Sequence, residues 1–277
     1  MKIGLHVSIA GGIFRAPKNA YNLGCETFQI FSRSPAGGPA PILSKEVLDK
    51  FKLELVKYNF DRFYMHTPYY INLASRRFRL ANYSRVVIEE EVKRGDMLGA
   101  VFVMTHLGSA KDVGEEQAIK QTAIYLKKVL SAVKNLKTKL LIEMSAGSGQ
   151  IIGDTFEEIK QIRDLIGEPV GVCYDLAHGF ASGYDIRTKE AIETTLKKFD
   201  QILGLDALKL IHSNDSLVDF NSKKDRHANI GQGKIGLTGF KILTRDPRLQ
   251  NIDWICETPR EDKIRAEDVK ILKKLRD

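Results

Sequence analysis

AVFVMTH (residues 100–106), EEQAIKQTAIYLKKVLSAVK (115–134) and KLLIE (139–143) follow one another in the middle of the chain. The outer two runs are nearly continuous in apolar and β-branched residues, as strands buried on both faces are. The segment between them is amphipathic at helical spacing, so the three read as a strand–helix–strand unit of a parallel sheet. Working outward, the pattern repeats. Six more strand-like runs are Ile3–Ser8, Glu26–Phe31, Arg62–His66, Val170–Asp175, Leu208–His212 and Ile252–Glu257; with Ala100–His106 and Lys139–Glu143 they make eight. Amphipathic segments lie at 44–58, 83–99, 155–167 and 189–204, with Thr155 placed to cap one helix and Gly167 and Gly204 placed to stop two. Eight alternations of strand and helix predict an α/β fold, a single (β/α)8 TIM barrel spanning residues 1–277, with its active site at the C-terminal rim.

Composition narrows what such a barrel does. At 277 residues, with 43 % apolar and 28 % charged side chains, disorder and collagen are excluded. Lys and Arg number 43 against 35 Asp and Glu, a formal charge of +8 that suits a polyanionic partner. Cys25, Cys173 and Cys256 are odd in number and lack CxxC spacing, which excludes a disulfide scaffold and favours a reducing compartment. No apolar run approaches the roughly 20 residues of a membrane helix, and the N-terminus lacks the apolar core of a signal peptide. A soluble, cytoplasmic, monomeric barrel with no membrane partner is the expectation. The Pro- and Gly-rich segment Ser32–Ser44, SRSPAGGPAPILS, reads as a long irregular surface loop.

The polar residues fall in register with the strands. His66, His106, Glu143, Asp175, His212 and Glu257 all close their runs. In a barrel those ends converge on one rim, where active sites are built. Two local pairs add to them: Asp175 and His178 in DLAH, aimed inward by a tight turn, and Asp225 and His227 in DRH, on one side of an extended segment. Nitrogen and carboxylate donors without thiolate suit a catalytic zinc site. Nine candidates, namely His66, His106, Glu143, Asp175, His178, His212, Asp225, His227 and Glu257, are too many for one tetrahedral ion and enough for three if one carboxylate bridges. Three Zn2+ bring six positive charges and the four carboxylates remove four, leaving about two for a hydroxide and a phosphodiester. Such a balance suits phosphodiester hydrolysis. His6, inside the first strand, is expected to donate a hydrogen bond beside the site rather than to bind metal.

Long motifs now carry a likeness. GLHVSIAGG (4–12), HTPYYINLAS (66–75), HLGS (106–109), EMSAG (143–147), DLAHGFASGYD (175–185), HSNDS (212–216), DRHANIGQGKIG (225–236) and ICETP (255–259) together make the sequence resemble endonuclease IV. That is the zinc-dependent apurinic/apyrimidinic endonuclease family of the xylose-isomerase-like barrels. The resemblance implies three zinc ions: one held by His66, His106 and Glu143, a second by Glu143, Asp175, His212 and Glu257, a third by His178, Asp225 and His227. Glu143 would bridge two ions across a shared hydroxide that it helps to orient. The implied reaction nicks double-stranded DNA 5′ to an abasic site, leaving a 3′-hydroxyl and a 5′-deoxyribose phosphate, and clears 3′-phosphates and related blocking groups. An abasic nucleotide is cheap to flip out of the stack, so a snug pocket selects it.

The sequence also departs from that family. The loop after the second strand carries Ala36 where relatives place an Arg that enters the DNA stack. Tyr69 and Tyr70 stand where the family inserts an aromatic and an apolar wedge. HLGS places Leu107 where relatives carry Pro, and EMSAGSG replaces a more polar run; both are expected to alter hydrogen bonding near substrate. Arg76, Arg77, Arg79 and Arg85, and a second group of Lys223, Lys224, Arg226 and Lys234, give the basic excess an address on the rim, with Arg226 beside the DRH histidine. Two other readings share the barrel. A sugar isomerase or epimerase would hold Mg2+- or Mn2+-type ions mainly by carboxylates, against which five histidines and a pI near 9.2 argue. A lesion-binding relative with weakened catalysis is suggested by Ala36 and Leu107.

Overall fold

The computed structural model describes residues 1–259 and 262–277. Strands β1 (Ile3–His6), β2 (Thr27–Phe31), β3 (Tyr64–His66), β4 (Phe102–Thr105), β5 (Lys139–Glu143), β6 (Gly171–Asp175) and β7 (Leu208–His212) pair side by side and all in parallel. After a two-residue antiparallel ladder of β8 (Asp215–Ser216) and β9 (His227–Ala228), strand β10 (Asp253–Cys256) pairs with both β7 and β1 and closes the barrel. The helices are α1 (Ala16–Asn22), α2 (Lys45–Lys57), α3 (Phe78–Leu98), α4 (Glu115–Val133), α5 (Phe156–Ile166), α6 (Leu176–Ala181), α7 (Lys189–Leu203), α8 (Gly236–Thr244) and α9 (Asp262–Arg276). This is the (β/α)8 barrel that the alternation predicts.

Local chemistry sets the boundaries. Ser44, Thr155 and Thr188 cap α2, α5 and α7 by accepting backbone N–H groups, and Gly167 ends α5 in the left-handed conformation that L side chains avoid. Helix α3 begins five residues before the expected Tyr83; its first turn exposes Phe78 and buries only the small Ala81, a weak apolar signal. His106 and Glu257 stand one residue beyond their ladders. The Glu257 N–H is taken by Asn214 Oδ1 at 2.7 Å instead of by a neighbouring strand. The DLAH turn is the short helix α6, whose first N–H groups Asp175 caps through His178 N at 2.9 Å. Ser32–Ser44 is irregular as expected, but it is pinned: buried Arg33 pairs with Glu91 at 2.5 Å and Glu90 at 2.8 Å on α3.

Alternation along the strands divides the core in two. Outward residues such as Phe28, Met65, Val103, Ile142, Tyr174, Ile211 and Trp254 pack under the helices in the larger cluster. Inward residues Tyr64, Met104, Leu141, Cys173, Leu210 and Ile255 form a separate apolar plug within the barrel. Two residues further along each of those six strands, the same inward face carries His66, His106, Glu143, Asp175, His212 and Glu257.

Candidate metal centre

Above the plug the strand ends present a cluster of polar side chains, with Phe31 beside it. His66, Glu143, Asp175, His178 and His212 are at most 3 % exposed, and His106, Glu257 and His227 are half-buried. The ligand atoms fall into three sets, each within 4.8 Å: His66, His106 and Glu143; Glu143, Asp175, His212 and Glu257; Asp175, His178 and His227. Asp225 Oδ1 lies 3.3 Å from His178 Nε2 and 3.4 Å from His227 Nε2. Asp175 therefore stands between the second and third sets, with Oδ2 3.6 Å from His227 Nε2 and 3.9 Å from His212 Nδ1.

Hydrogen bonds on the far side of three of the rings fix which nitrogen faces inward. The Nδ1–H groups of His66, His178 and His227 donate to the carbonyls of Thr67 at 2.6 Å, Met144 at 2.9 Å and Glu257 at 3.3 Å. A carbonyl only accepts, so in the neutral ring each Nε2 is a bare lone pair. His66 Nε2 nevertheless lies 2.7 Å from Glu143 Oε2, and the Nε2 atoms of His178 and His227 lie 3.3 Å apart. Around these three rings acceptors face acceptors. Only positive charge between them, proton or metal, reconciles that packing.

Electrostatics point the same way. Burial opposes charge on Glu143, yet the imidazoles of His106, His212 and His66 hold its carboxyl well below the usual range. Burial also opposes a cationic His178, but Asp175 and Asp225 raise it well above the ordinary imidazole value. Asp225 is held low against its own burial, chiefly by His178. The donor set fits zinc in type: imidazole and carboxylate, with carbonyls behind three of the rings.

The mouth over this cluster has a volume of about 440 Å3 and is lined by Tyr69, His106, Leu217, Asp225, Arg226 and His227 among others. A second cavity of about 550 Å3 opens beside it between His6, Phe31, Arg33, Tyr69, Glu257 and Arg265. Tyr69 is 64 % exposed and packs edge-on to Phe31, whereas Tyr70 turns to the core margin and stacks on Tyr83. Arg226 is exposed at the mouth, and Arg76, Arg77, Arg79, Lys223, Lys224 and Lys234 are exposed, with Lys223 tied to Asp154 at 2.6 Å. Leu107 is fully buried in the outer core, so its side chain does not reach the mouth. His6 Nδ1 accepts from Gln29 Nε2 at 2.9 Å, so His6 is an acceptor here and not the expected donor, and its ring lies tilted against Phe31.

Sequence reasoning passed over four residues. Gln29 joins His6, His212 and Glu257; Asn214 donates to Asp175 at 2.7 Å; exposed Leu217 lines the mouth. Asp215 accepts the backbone N–H groups of Gly231, Gly233, Ile235 and Gly236, folding the GQGKIG turn behind the DRH segment. The signal for Gln29 was present: TFQIF alternates, and position 29 faces inward with His6 as its register partner.

Residues 17–275 match the xylose isomerase-like TIM barrel family, the class that this barrel and its polar rim define. Within it, the chain is 37 % identical to the probable endonuclease 4 of Halothermothrix orenii, over 100 % of this chain and 99 % of that one. It is 36 % identical to the probable endonuclease 4 of Aquifex aeolicus, covering 98 % and 96 % of the two. The crystal structure of endonuclease IV from Thermus thermophilus superposes with a TM-score of 0.87 at 30 % identity, over 99 % and 98 % of the chains. The chain belongs to the endonuclease IV family and is a phosphodiester hydrolase. A D-tagatose 3-epimerase-like protein, at 17 % identity and a TM-score of 0.75, shares the fold alone. Among the described residues no helix is long and apolar enough to cross a membrane.

Proposed function

We propose that residues 1–277 act as one catalytic barrel, a cytoplasmic monomer that repairs DNA. It hydrolyses the phosphodiester 5′ to an abasic site in duplex DNA, leaving a 3′-hydroxyl and a 5′-deoxyribose phosphate, and removes 3′-phosphates and similar blocking groups. The observation that carries this reading is the set of imidazole nitrogens turned inward as bare acceptors onto shared carboxylates. That arrangement has a use only around cations.

Three zinc ions would be the cofactor, held by His66, His106 and Glu143; by Glu143, Asp175, His212 and Glu257; and by His178, Asp225 and His227. Asp175, in reach of the third set, also orders His178 through its backbone N–H. Bound there, zinc supplies Lewis acidity, lowering the pKa of water and offsetting charge on the phosphate. The protein's own part is orientation. Glu143 presents one oxygen toward His66 and the other toward His212, at 2.7 and 2.9 Å, and orients the attacking water between them. Water adds to phosphorus, the bond to the 3′ oxygen breaks, and one water proton leaves with that oxygen while the other stays with the new phosphate oxygen.

Recognition falls to the mouth. Tyr69 enters the space vacated by the flipped nucleotide, with Phe31 behind it, and Tyr70 supports that loop against Tyr83. Arg226 and the exposed basic residues on either side contact phosphates, which position the duplex without reading sequence. A duplex oligonucleotide with one abasic site tests the reading. The expected product is a single nick 5′ to the lesion whose 3′ end a polymerase extends. Cleavage of intact duplex alone, or ketose–aldose conversion instead, would overturn it.

A further inference from the structure

Resting on the metal-centre reading above, we propose that Gln29 is a positioning residue: it fixes the tautomer of His212 and sorts the two oxygens of Glu257, thereby shaping one of the three metal positions. Gln29 is fully buried on β2, and every polar atom of its amide is engaged. Its Nε2 donates to Glu257 Oε1 at 2.6 Å and to His6 Nδ1 at 2.9 Å, and its Oε1 lies 2.9 Å from His212 Nε2. The amide has one orientation, since the reverse would set its oxygen against a carboxylate.

Two consequences follow. In the neutral ring His212 must carry its proton on Nε2 to donate to Gln29, which leaves Nδ1 bare. That atom is aimed at Glu143 Oε1 at 2.9 Å, Glu257 Oε2 at 3.3 Å and Asp175 Oδ2 at 3.9 Å. Glu257, with Oε1 taken by the amide, offers Oε2 to the same point. One side chain thus sets two donors of the second set. Its hydrogen bonds reach neither His66 and His106 of the first nor His178, Asp225 and His227 of the third. A carboxylate on β2 has no proton to donate to Glu257, and a hydroxyl, with one proton, cannot donate to both Glu257 and His6 as the amide does.

The test uses the full chain stripped of metal, as wild type, Gln29→Met and Gln29→Glu. Zinc is titrated in against a chromophoric chelator, and histidine side chains are followed by long-range 1H–15N correlation. Wild type is expected to take three zinc ions, with the His212 proton on Nε2. Gln29→Met is expected to lose that Nε2–H signal and to bind one ion of the three about 10- to 100-fold more weakly, leaving the other two unchanged. Gln29→Glu keeps the acceptor for His212 but not the donor for Glu257. It is expected to retain the Nε2–H signal while still weakening one ion, so it carries the test if the Met variant does not fold. Three ions at wild-type affinity in both variants, or an unchanged His212 signal in Gln29→Met, would overturn the role of Gln29. Wild type without zinc would overturn the metal reading instead, and the His212 signal, which needs no metal, would still report on Gln29.

Discussion

The lower and upper interiors of this barrel are built on the same strands, two residues apart. Tyr64, Met104, Leu141, Cys173, Leu210 and Ile255 fill the lower part; His66, His106, Glu143, Asp175, His212 and Glu257 fill the upper. The lower six stabilise by leaving water, each by about 1.5–3 kcal/mol for the larger side chains. The upper six are nearly as buried, yet charged or ionisable groups cost free energy to bury and return it only when partnered. One layer holds the fold together. The next spends that stability on holding ligand atoms in place.

Substitutions of neighbouring inward residues separate the two layers. Glu143→Gln removes the central carboxylate without changing shape, and cleavage of abasic duplex is expected to fall on the order of 10^3-fold while circular dichroism and the unfolding midpoint stay close to wild type. Near-normal turnover would remove Glu143 from its role. Leu141→Ala, one inward step below, is expected to do the reverse. It should cost about 2–5 kcal/mol in urea unfolding and leave the turnover of the remaining folded molecules unchanged. A large loss of turnover at native stability would erase the distinction between the layers.

Smaller effects lie around the mouth. Ala36→Arg restores a charged side chain to an exposed loop position and is expected to tighten abasic-duplex binding by roughly fivefold, the equivalent of about 1 kcal/mol; unchanged affinity in a fluorescence titration would mean that this loop meets DNA differently. Lys223→Ala removes the tie to Asp154 at 2.6 Å that holds the loop before Asp225. Because Lys223 is half-exposed, less than about 1 kcal/mol of stability should go with it, and the change is expected to appear as weaker DNA binding with a shallower salt slope. A salt slope equal to wild type would take Lys223 out of the interface.

Much of this was legible before the fold was known. Runs such as AVFVMTH and KLLIE place strands, and the polar residue that closes each run marks the rim. Legibility failed where chemistry is quiet or geometry is local. Gln29 carries no charge and does not stand out among ionisable candidates, although its inward phase is written in TFQIF. Tyr69 and Tyr70 are the same residue type in adjacent positions, and only the turn of the backbone sends one to the mouth and the other against Tyr83. Leu107 lies in a motif otherwise devoted to the site, so its place in the outer core shows only after folding. Asp215 organises a turn 16 to 21 residues downstream, a relation that no local pattern encodes.

Reconstitution with zinc decides whether the upper layer is a metal centre for abasic-site cleavage. Metal-stripped protein is titrated with zinc while strand scission of an abasic duplex and bound zinc are measured on the same samples. Scission 5′ to the lesion, absent without metal and reaching its plateau as bound zinc reaches three per chain, is the expected result. Full scission in metal-free protein, or three bound zinc ions with no scission at saturating substrate, would contradict it.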